Sequence, residues 1–333
     1  MNTSRLAVAL ATAAAAAVAL PATARAACGK LECGTNSPHL AQYAFHELDA
    51  SGQHRNDAGV QVLALYKWGV PFTPAVRGDH LVALDAHGDV VWSGDDLIGT
   101  YLHLEVKTGE GLQQFRLQID DVEHDLALWV DDADEDLEAY ELSWRELNGQ
   151  MVTTRPLCNL PPPVIVQDGL EYYPNPNATI FYTGDRYDAA TKRVTATTAA
   201  ATADWFNIAC AGSVLAKMHL NRYTTASVRP THSTTPAERN DLLAMYTANV
   251  CGTGQSYTVN GTDIRWTGTN GWNAYDQPSP AVALEGVWGD GRAQCIDTFR
   301  IPANQGAFAC EVPACESLEG NWFDHGTVMS GVP

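Results

Sequence analysis

Eight cysteines carry the most explicit chemistry in this sequence: Cys28, Cys33, Cys158, Cys210, Cys251, Cys295, Cys310 and Cys315. An even number of cysteines is typical of disulfides in a chain that reaches an oxidising compartment. The spacing predicts local bridges from Cys28 to Cys33 and from Cys310 to Cys315, and the other four cysteines would then stabilise the central region. A zinc site at the two C-x4-C pairs is the alternative, although structural zinc sites usually use tighter spacings.

Cys210 is the candidate for thiol chemistry. The sequence places Cys210, Val214 and Met218 four residues apart, on one face of a predicted helix. A helix N-terminus favours the thiolate, and His219 or His232 could then act as the base. No spacing places either histidine beside the sulfur, and a disulfide explains Cys210 without further assumptions. A thiol enzyme is therefore the alternative hypothesis.

Other reactive patterns are incomplete. The acidic run 131–136 has aspartates at alternate positions, as an EF-hand loop does, but Leu137 and Ser143 occupy the positions that need Gly and Glu. The run is therefore predicted to be a solvated turn. Ser213 lacks the flanking glycines of a nucleophile elbow. No pair of carboxylates stands out for glycoside hydrolysis. We predict no metal and no cofactor, and the sequence singles out no catalytic residue.

Tryptophans in the C-terminal third are candidates for binding. Trp266 and Trp272 flank the polar run 267–271, and exposed indole rings in such a loop would stack on sugars or partner proteins. These two residues are the predicted binding surface. Trp288 lies in an apolar segment and is predicted to be buried. The chain beyond Cys315 is predicted to be weakly ordered.

A second helix is predicted from its own start signal. Thr235 can cap it, Pro236 suits its first position, and Glu238 can complete a capping box. Apolar residues then recur at spacings of three and four, and Gly252 is the predicted stop. This interpretation places Cys251 at the end of the helix.

The N-terminal half has the pattern of an antiparallel sheet. Apolar and polar residues alternate over 101–107, 114–120 and 140–145, which indicates one buried and one exposed face. A further strand over 59–66 and a hairpin over 81–92 are also predicted. No catalytic spacing occurs here, so this half is predicted to be scaffold.

The first 26 residues resemble a secretory signal peptide. Arg5 precedes an apolar run of about 15 residues, and Ala24-Arg25-Ala26 suits signal peptidase. That run is short for a membrane anchor. Lipid attachment at Cys28 is a second alternative, although Arg25 is unusual in a lipoprotein signal. We predict a protein that is secreted or held in the periplasm or cell envelope, without membrane insertion after cleavage.

The composition limits the class of partner. Aspartate and glutamate number 39 against 20 lysines and arginines, and loss of residues 1–26 would change the net charge from −19 to −21. Nucleic acids and anionic lipids bind to cationic patches, so neither is predicted as a partner. The predicted partner is an unknown protein or a glycan. A hydrophobic content of 45% is sufficient for a large core.

Several short motifs, in a fixed order, resemble the ADYC domain, a family of bacterial exported proteins with no established activity. They are Pro156-Leu157-Cys158, Cys210 to Lys217, Tyr246 to Gly254, Thr258 with Gly261-Thr262, and Leu284 to Cys295. The resemblance covers roughly residues 90–300 and implies a shared fold without a mechanism.

This chain departs from the family pattern at two places. The signature tetrapeptide is Ala248-Asn249-Val250-Cys251, without the Asp and Tyr of the family. Met218 occupies a position where the family has a cysteine. If the family's Asp is a catalytic acid, this member has lost it.

Together these patterns predict an α+β protein that is mainly β. We divide it into a signal peptide (1–26), an N-terminal antiparallel β region (27–155), an ADYC-like cysteine-stapled region with two helices and short strands (156–300), and a cysteine-containing tail (301–333). A proline-rich joint at 160–163 follows the β region. The predicted function is a non-enzymatic binding or structural module, and an extracytoplasmic thiol enzyme or hydrolase is the alternative.

Overall fold

The structure is a computed structural model. It describes residues 39–40, 43–126, 137–147, 153–158, 165–167, 170–172, 178–188, 190–196, 204–225, 233–259, 262, 264–269 and 282–332. Several predicted features lie outside these residues: the signal peptide, Cys28, Cys33, the acidic run 131–136, the proline-rich joint, His232 and Trp272.

Strands dominate the described residues. They are β1 (His39–Leu40), β2 (Tyr43–Ala44), β3 (Leu48–Asp49), β4 (Val60–Lys67), β5 (Val70–Arg77), β6 (His80–Leu84), β7 (Val90–Ser93), β8 (Tyr101–Thr108), β9 (Gly111–Leu126), β10 (Leu137–Glu146), β11 (Arg155–Pro156), β12 (Ile165–Gln167), β13 (Leu170–Tyr172), β14 (Ala178–Tyr182), β15 (Arg186–Asp188), β16 (Arg193–Ala196), β17 (Trp205–Cys210), β18 (Arg265–Gly268), β19 (Ala283–Gly289), β20 (Arg292–Ile296) and β21 (Val328–Val332). The helices are α1 (Val214–Leu220) and α2 (Pro236–Thr247). The predicted α+β, mainly β class is confirmed.

The largest sheet has eleven antiparallel strands. Their order is β3-β17-β14-β10-β9-β8-β4-β5-β6-β7, and β11 pairs with β10. The three segments with period two form the predicted antiparallel strands, β8, β9 and β10, and the structure places them side by side. Strand β4 and the hairpin β6–β7 are also confirmed. Strand β5, with Pro71 and Pro74, was not predicted.

This sheet curls on itself around an apolar interior. Strand β14 contacts β5 and β6, which lie far along the sheet order. Across the same gap the Leu81 amide donates a hydrogen bond to the Tyr140 hydroxyl at 2.9 Å. The enclosed core includes Val62, Leu65, Leu104, Phe115, Leu117, Phe181 and Phe206. One face of each strand points into this interior, which explains the alternation in the sequence.

Strands β14 and β17 separate this interior from a second core. Phe181 points into the curled sheet, whereas its neighbours Ile180 and Tyr182 point towards the helices. All five residues of β14 are therefore buried. The second core fills the space between these strands, the two helices and a four-stranded sheet.

Helix α1 begins later than the sequence pattern predicts. Ser213 is its N-cap and its side chain accepts a hydrogen bond from the Ala216 amide at 3.2 Å. Cys210 is the last residue of β17, so its predicted position on a helix is wrong. Cys210 lies four residues before Val214, so the helical spacing appeared to include it. A turn separates Cys210 from the helix.

Helix α2 has the predicted capping box. The Glu238 carboxylate accepts from the Thr235 amide at 2.7 Å, and the Glu238 amide donates to the Thr235 hydroxyl at 3.2 Å. The helix ends at Thr247 because Ala248 has left-handed backbone geometry, with φ of 48°. The predicted stop at Gly252 is therefore wrong, and Cys251 lies beyond the helix.

The four-stranded sheet has the order β18-β21-β19-β20. Strand β21 lies inside it, so the prediction of a weakly ordered tail beyond Cys315 is wrong for this segment. Its Ser330 hydroxyl accepts from the Trp288 indole at 2.8 Å and donates to the Glu285 carboxylate at 2.7 Å. Glu285 forms a bidentate, buried ion pair with Arg300. Trp288 is buried, as predicted.

Candidate functional site

Cys210, the candidate for thiol chemistry in the alternative hypothesis, is oxidised, as the favoured disulfide interpretation predicts. Cys210 forms a disulfide with Cys158, which joins the end of β17 to the residue two positions after β11. No cysteine among the described residues is free. A disulfide sulfur carries no thiolate, so the thiol hypothesis for Cys210 is wrong.

The predicted local bridge from Cys310 to Cys315 is also wrong. Cys310 pairs with Cys251, and Cys315 pairs with Cys295 on β20. The fold places Cys310 beside the segment after α2, with a Cα–Cα distance of 5.7 Å to Cys251. The prediction failed because spacing along the chain does not determine which cysteines lie close together in the fold.

His219 has a buried partner other than a thiol. Its Nε2 atom lies 2.8 Å from the Asp79 carboxylate, and its ring lies 4.5 Å from that of Tyr182. Asp79 belongs to the turn between β5 and β6, so this contact joins the curled sheet to helix α1. Both side chains are buried, which suits a structural contact between the two cores.

The predicted binding surface does not form around Trp266. Its side chain is only 5% exposed and packs edge-on between Tyr223 and Tyr246, with ring centroids 5.6 and 5.9 Å away. Trp266 is thus a core residue. Sequence neighbours suggested exposure, but the residues that cover the ring come from the helical segment.

The structure instead exposes an aromatic surface on the half predicted to be scaffold. We call it the Trp68 patch, and it consists of Trp68, Val70, Val90, Val91 and Trp92. Trp68 and Gly69 form the tight turn between β4 and β5, with φ of 52° and 80°, and this geometry projects Trp68 away from the sheet. Its side chain is 83% exposed.

The buried Lys67 side chain packs against the Trp68 patch. The Lys67 ammonium lies 3.7 Å from the centre of the Trp92 ring and donates a hydrogen bond to the Asp96 carbonyl. Trp68 meets Trp92 edge-on at 5.6 Å. A cation over an indole face and an edge-on ring pair both favour a fixed arrangement. The patch is therefore largely preformed.

The patch continues along a sheet edge. Strand β7 pairs with β6 on one side and is the last strand in the described sheet. Val90 and Val91 on this strand are exposed. An apolar edge strand offers both side chains and unpaired backbone groups to another polypeptide.

A row of acids and histidines lies near the patch. Glu138 contacts His80 at 3.1 Å and His124 at 3.5 Å, and His124 contacts Asp95 at 2.7 Å. Tyr140 donates to Glu138. Burial raises the pKa of Glu138, but the hydrogen bonds from His80 and Tyr140 outweigh that effect and place its pKa below the ordinary value. This row joins β6 to β10.

His80, His124 and Tyr140 all contact the Glu138 carboxylate, so the row is a network of contacts within the protein. Within the described part of the chain, no group of three or more His, Cys, Asp or Glu residues could hold a metal ion.

No helix in the described residues has the length and apolar character needed to cross a membrane.

The ADYC domain family model matches residues 94–302 of the chain. This match covers more than half of the sequence, and the chain belongs to the ADYC domain family. No curated protein and no solved structure matches the chain.

The structure gives Asn249 of the altered signature tetrapeptide a structural role. Asn249 is buried, and its side-chain oxygen accepts from the Gly254 amide at 2.8 Å while its nitrogen donates to the Thr191 carbonyl at 3.1 Å. An aspartate could accept the first hydrogen bond but could not donate the second while ionised. Asn249 therefore connects two loops, and its position in the core suits structure rather than catalysis.

Proposed function

We propose that this ADYC domain protein is an exported, disulfide-stabilised module that binds a partner protein and has no enzymatic activity. The Trp68 patch is the observation that carries this proposal. Large exposed apolar surfaces usually mark interaction sites on soluble proteins. Trp68 is held at a fixed turn, so little conformational entropy would be lost when a partner covers it.

The shape of the patch favours a protein over a glycan. Sugars stack on indole rings, but Val90 and Val91 offer nothing to sugar hydroxyl groups. An extended peptide beside β7 could pair with its backbone and pack on these valines.

Two further features support the exported, non-enzymatic role. Three disulfides suit an oxidising compartment outside the cytoplasm, in agreement with the signal-like residues 1–26. The Glu138 row holds β6 and β10 together, which suits a structural role. N-terminal sequencing of the native protein tests export, which requires a chain that begins after Ala26.

Binding can be tested with three purified proteins. Wild type, Trp68→Ala and the control Trp322→Ala would be crosslinked to cell-envelope proteins, and each captured protein would be purified and titrated against all three. Trp322 is 39% exposed and lies far along the chain, outside the patch. We expect saturable binding by wild type and Trp322→Ala, and a loss of at least tenfold in affinity for Trp68→Ala.

A glycan array run with the same three proteins distinguishes the partner class. Glycan binding that depends on Trp68, in the absence of any protein ligand, would show that the patch binds a sugar and not a partner protein. Equal binding by wild type and Trp68→Ala in both assays would refute the patch as the binding surface.

A further inference from the structure

Two arginines lie directly opposite each other on the outer face of the large sheet. Arg116 on β9 and Arg145 on β10 are cross-strand neighbours in register. Like charges at such positions repel and destabilise a sheet. The chain has almost twice as many acidic residues as basic ones, yet neither guanidinium forms an ion pair with a described carboxylate. The two positive charges therefore lie side by side without a described carboxylate to neutralise them.

The arginines border a small cavity of about 110 Å³. Its lining consists of Arg116, Gln118, Ser143, Trp144, Arg145 and Thr154. A cavity of this size holds several water molecules, so it has room for an oxoanion group. The donors around it belong to arginine, serine, threonine and glutamine, which suits oxygen ligands.

Neighbouring side chains hold Arg116 in place. Its guanidinium lies 3.9 Å from the centre of the Tyr101 ring, and its Nη2 atom donates to the Gln118 amide oxygen at 2.7 Å. Tyr101 in turn stacks on Tyr66 at 5.2 Å. The nearby Asp120 carboxylate accepts from Gln118 at 2.8 Å. Arg116 is therefore oriented before any ligand arrives.

Donors at this cavity have no protein acceptor. Among the described residues, neither the Arg116 Nε atom nor the Ser143 hydroxyl has a hydrogen-bond partner, although both atoms are buried. Ser143 is itself more than nine-tenths buried. Burial and the adjacent Arg145 charge lower the pKa of Arg116. An unsatisfied buried donor destabilises the folded state, and an anion that accepts hydrogen bonds at this cavity would offset that effect.

We propose that Arg116, Arg145 and Ser143 form a binding site for a single oxoanion group: a carboxylate, sulfate or phosphate. Two guanidinium groups are a common means of holding such groups, often through paired hydrogen bonds. One pair of arginines on an acidic protein suits a discrete anionic group rather than a nucleic-acid backbone, which requires an extended cationic surface. The group is either a free anion or part of an acidic envelope polysaccharide.

Calorimetry on the disulfide-bonded protein in chloride buffer at constant ionic strength tests the site. The probes are inorganic sulfate, inorganic phosphate, glucuronate and polygalacturonate, with glucose as the neutral control. We expect at least one oxoanion probe to bind saturably with one site per chain, and glucose not to bind. Arg145→Gln should weaken the binding at least tenfold and Ser143→Ala several-fold, whereas the exposed Arg77→Gln should leave it unchanged.

Arg145→Gln should fold normally because the Arg145 side chain makes no hydrogen bond with a described residue. Loss of the repulsion should leave its melting temperature without anion equal to or above that of wild type. The same variant should lose the rise in melting temperature that the anion gives to wild type. No saturable binding of any oxoanion probe, or equal binding by wild type and Arg145→Gln, would overturn the site.

The probes also separate the two sources of the anionic group. Equal affinity per carboxylate for glucuronate and polygalacturonate indicates a free anion, and tighter binding of the polymer indicates a polysaccharide. Trp68→Ala should bind the oxoanion as wild type does, because the Trp68 patch and the arginine site share no residue. A failure of the partner proposal is thereby distinguishable from a failure of this one.

Discussion

At the scale of single residues, Lys192 is a cation that the fold encloses. Its side chain is fully buried, its ammonium contacts the Ser256 hydroxyl at 2.5 Å, and burial lowers its pKa from 10.5 to about 8. Between these two pH values the unfolded chain keeps a proton that the folded chain has lost. The contribution of Lys192 to the free energy of unfolding should therefore rise with pH across this window, by roughly 3 kcal/mol in total.

Urea unfolding at pH 7, 8, 9 and 10 checks this prediction by comparing wild type with Lys192→Met. The difference between the two proteins isolates Lys192, since the tyrosines that ionise near pH 10 are common to both. Wild type should gain stability relative to the variant as the pH rises above 8. The exposed Lys107→Met is the control and should follow wild type, whereas parallel profiles for wild type and Lys192→Met would contradict the prediction.

Residue patterns identified some core positions but identified neither the Trp68 patch nor the pair of Arg116 and Arg145. Trp288 was correctly assigned to the core because its own segment is apolar. Trp266 was not, since Tyr223 and Tyr246 cover it and lie 20 or more residues away in the chain. The Arg116 and Arg145 pair depends on which residues of β9 and β10 lie opposite each other. Alternation of apolar and polar residues fixes the face of each side chain but not its cross-strand partner. The Trp68-Gly69 turn was the one local signal that could have been recognised.

At the scale of elements, helix α2 depends on its N-terminal cap. Thr235→Ala removes the hydroxyl that satisfies the Glu238 amide and should lower the free energy of unfolding by about 1 kcal/mol. The effect should extend beyond the helix because α2 packs on β19, β20 and β21. Chemical denaturation followed by circular dichroism measures it.

Thr253→Ala is the matched control for this cap. Thr253 is exposed and lies just beyond α2, so its loss should change the stability by no more than a few tenths of a kcal/mol. Equal midpoints for Thr235→Ala and wild type would show that the capping box contributes nothing to stability.

Elements with strong local signals were predictable, and those stabilised by tertiary pairing were not. Strands β8, β9 and β10 alternate regularly, and α2 carries a capping box, so both types were recognised. Strand β5 contains Pro71 and Pro74, which weaken the strand pattern. Strand β21 is a short segment near the end of the chain, and its position between β18 and β19 follows from pairing rather than from composition.

At the scale of the whole molecule, the sheet unites sequence segments that the composition appeared to separate. Strands β14 and β17 follow the proline-rich joint, yet they extend the sheet formed by β4 to β10. The Cys158–Cys210 bridge and the contact between Asp79 and His219 add connections across the same boundary. The family match from residue 94 to residue 302 likewise spans it. Strands β14 and β17 therefore contribute side chains to both cores.

The remaining disulfides fix the C-terminal sheet, and their loop lengths predict how much each contributes. Cys251 and Cys310 are 59 residues apart, and Cys295 and Cys315 are 20 apart. The chain-entropy relation gives about 4 kcal/mol for the longer loop and about 3 kcal/mol for the shorter one. Replacing both cysteines of a bridge by serine should lower the free energy of unfolding in that order, which urea denaturation without reductant measures. Mass spectrometry of alkylated, unreduced protein verifies the pairs first. A peptide that links Cys310 to Cys315, or a larger loss from the shorter loop, would contradict this account of the C-terminal half.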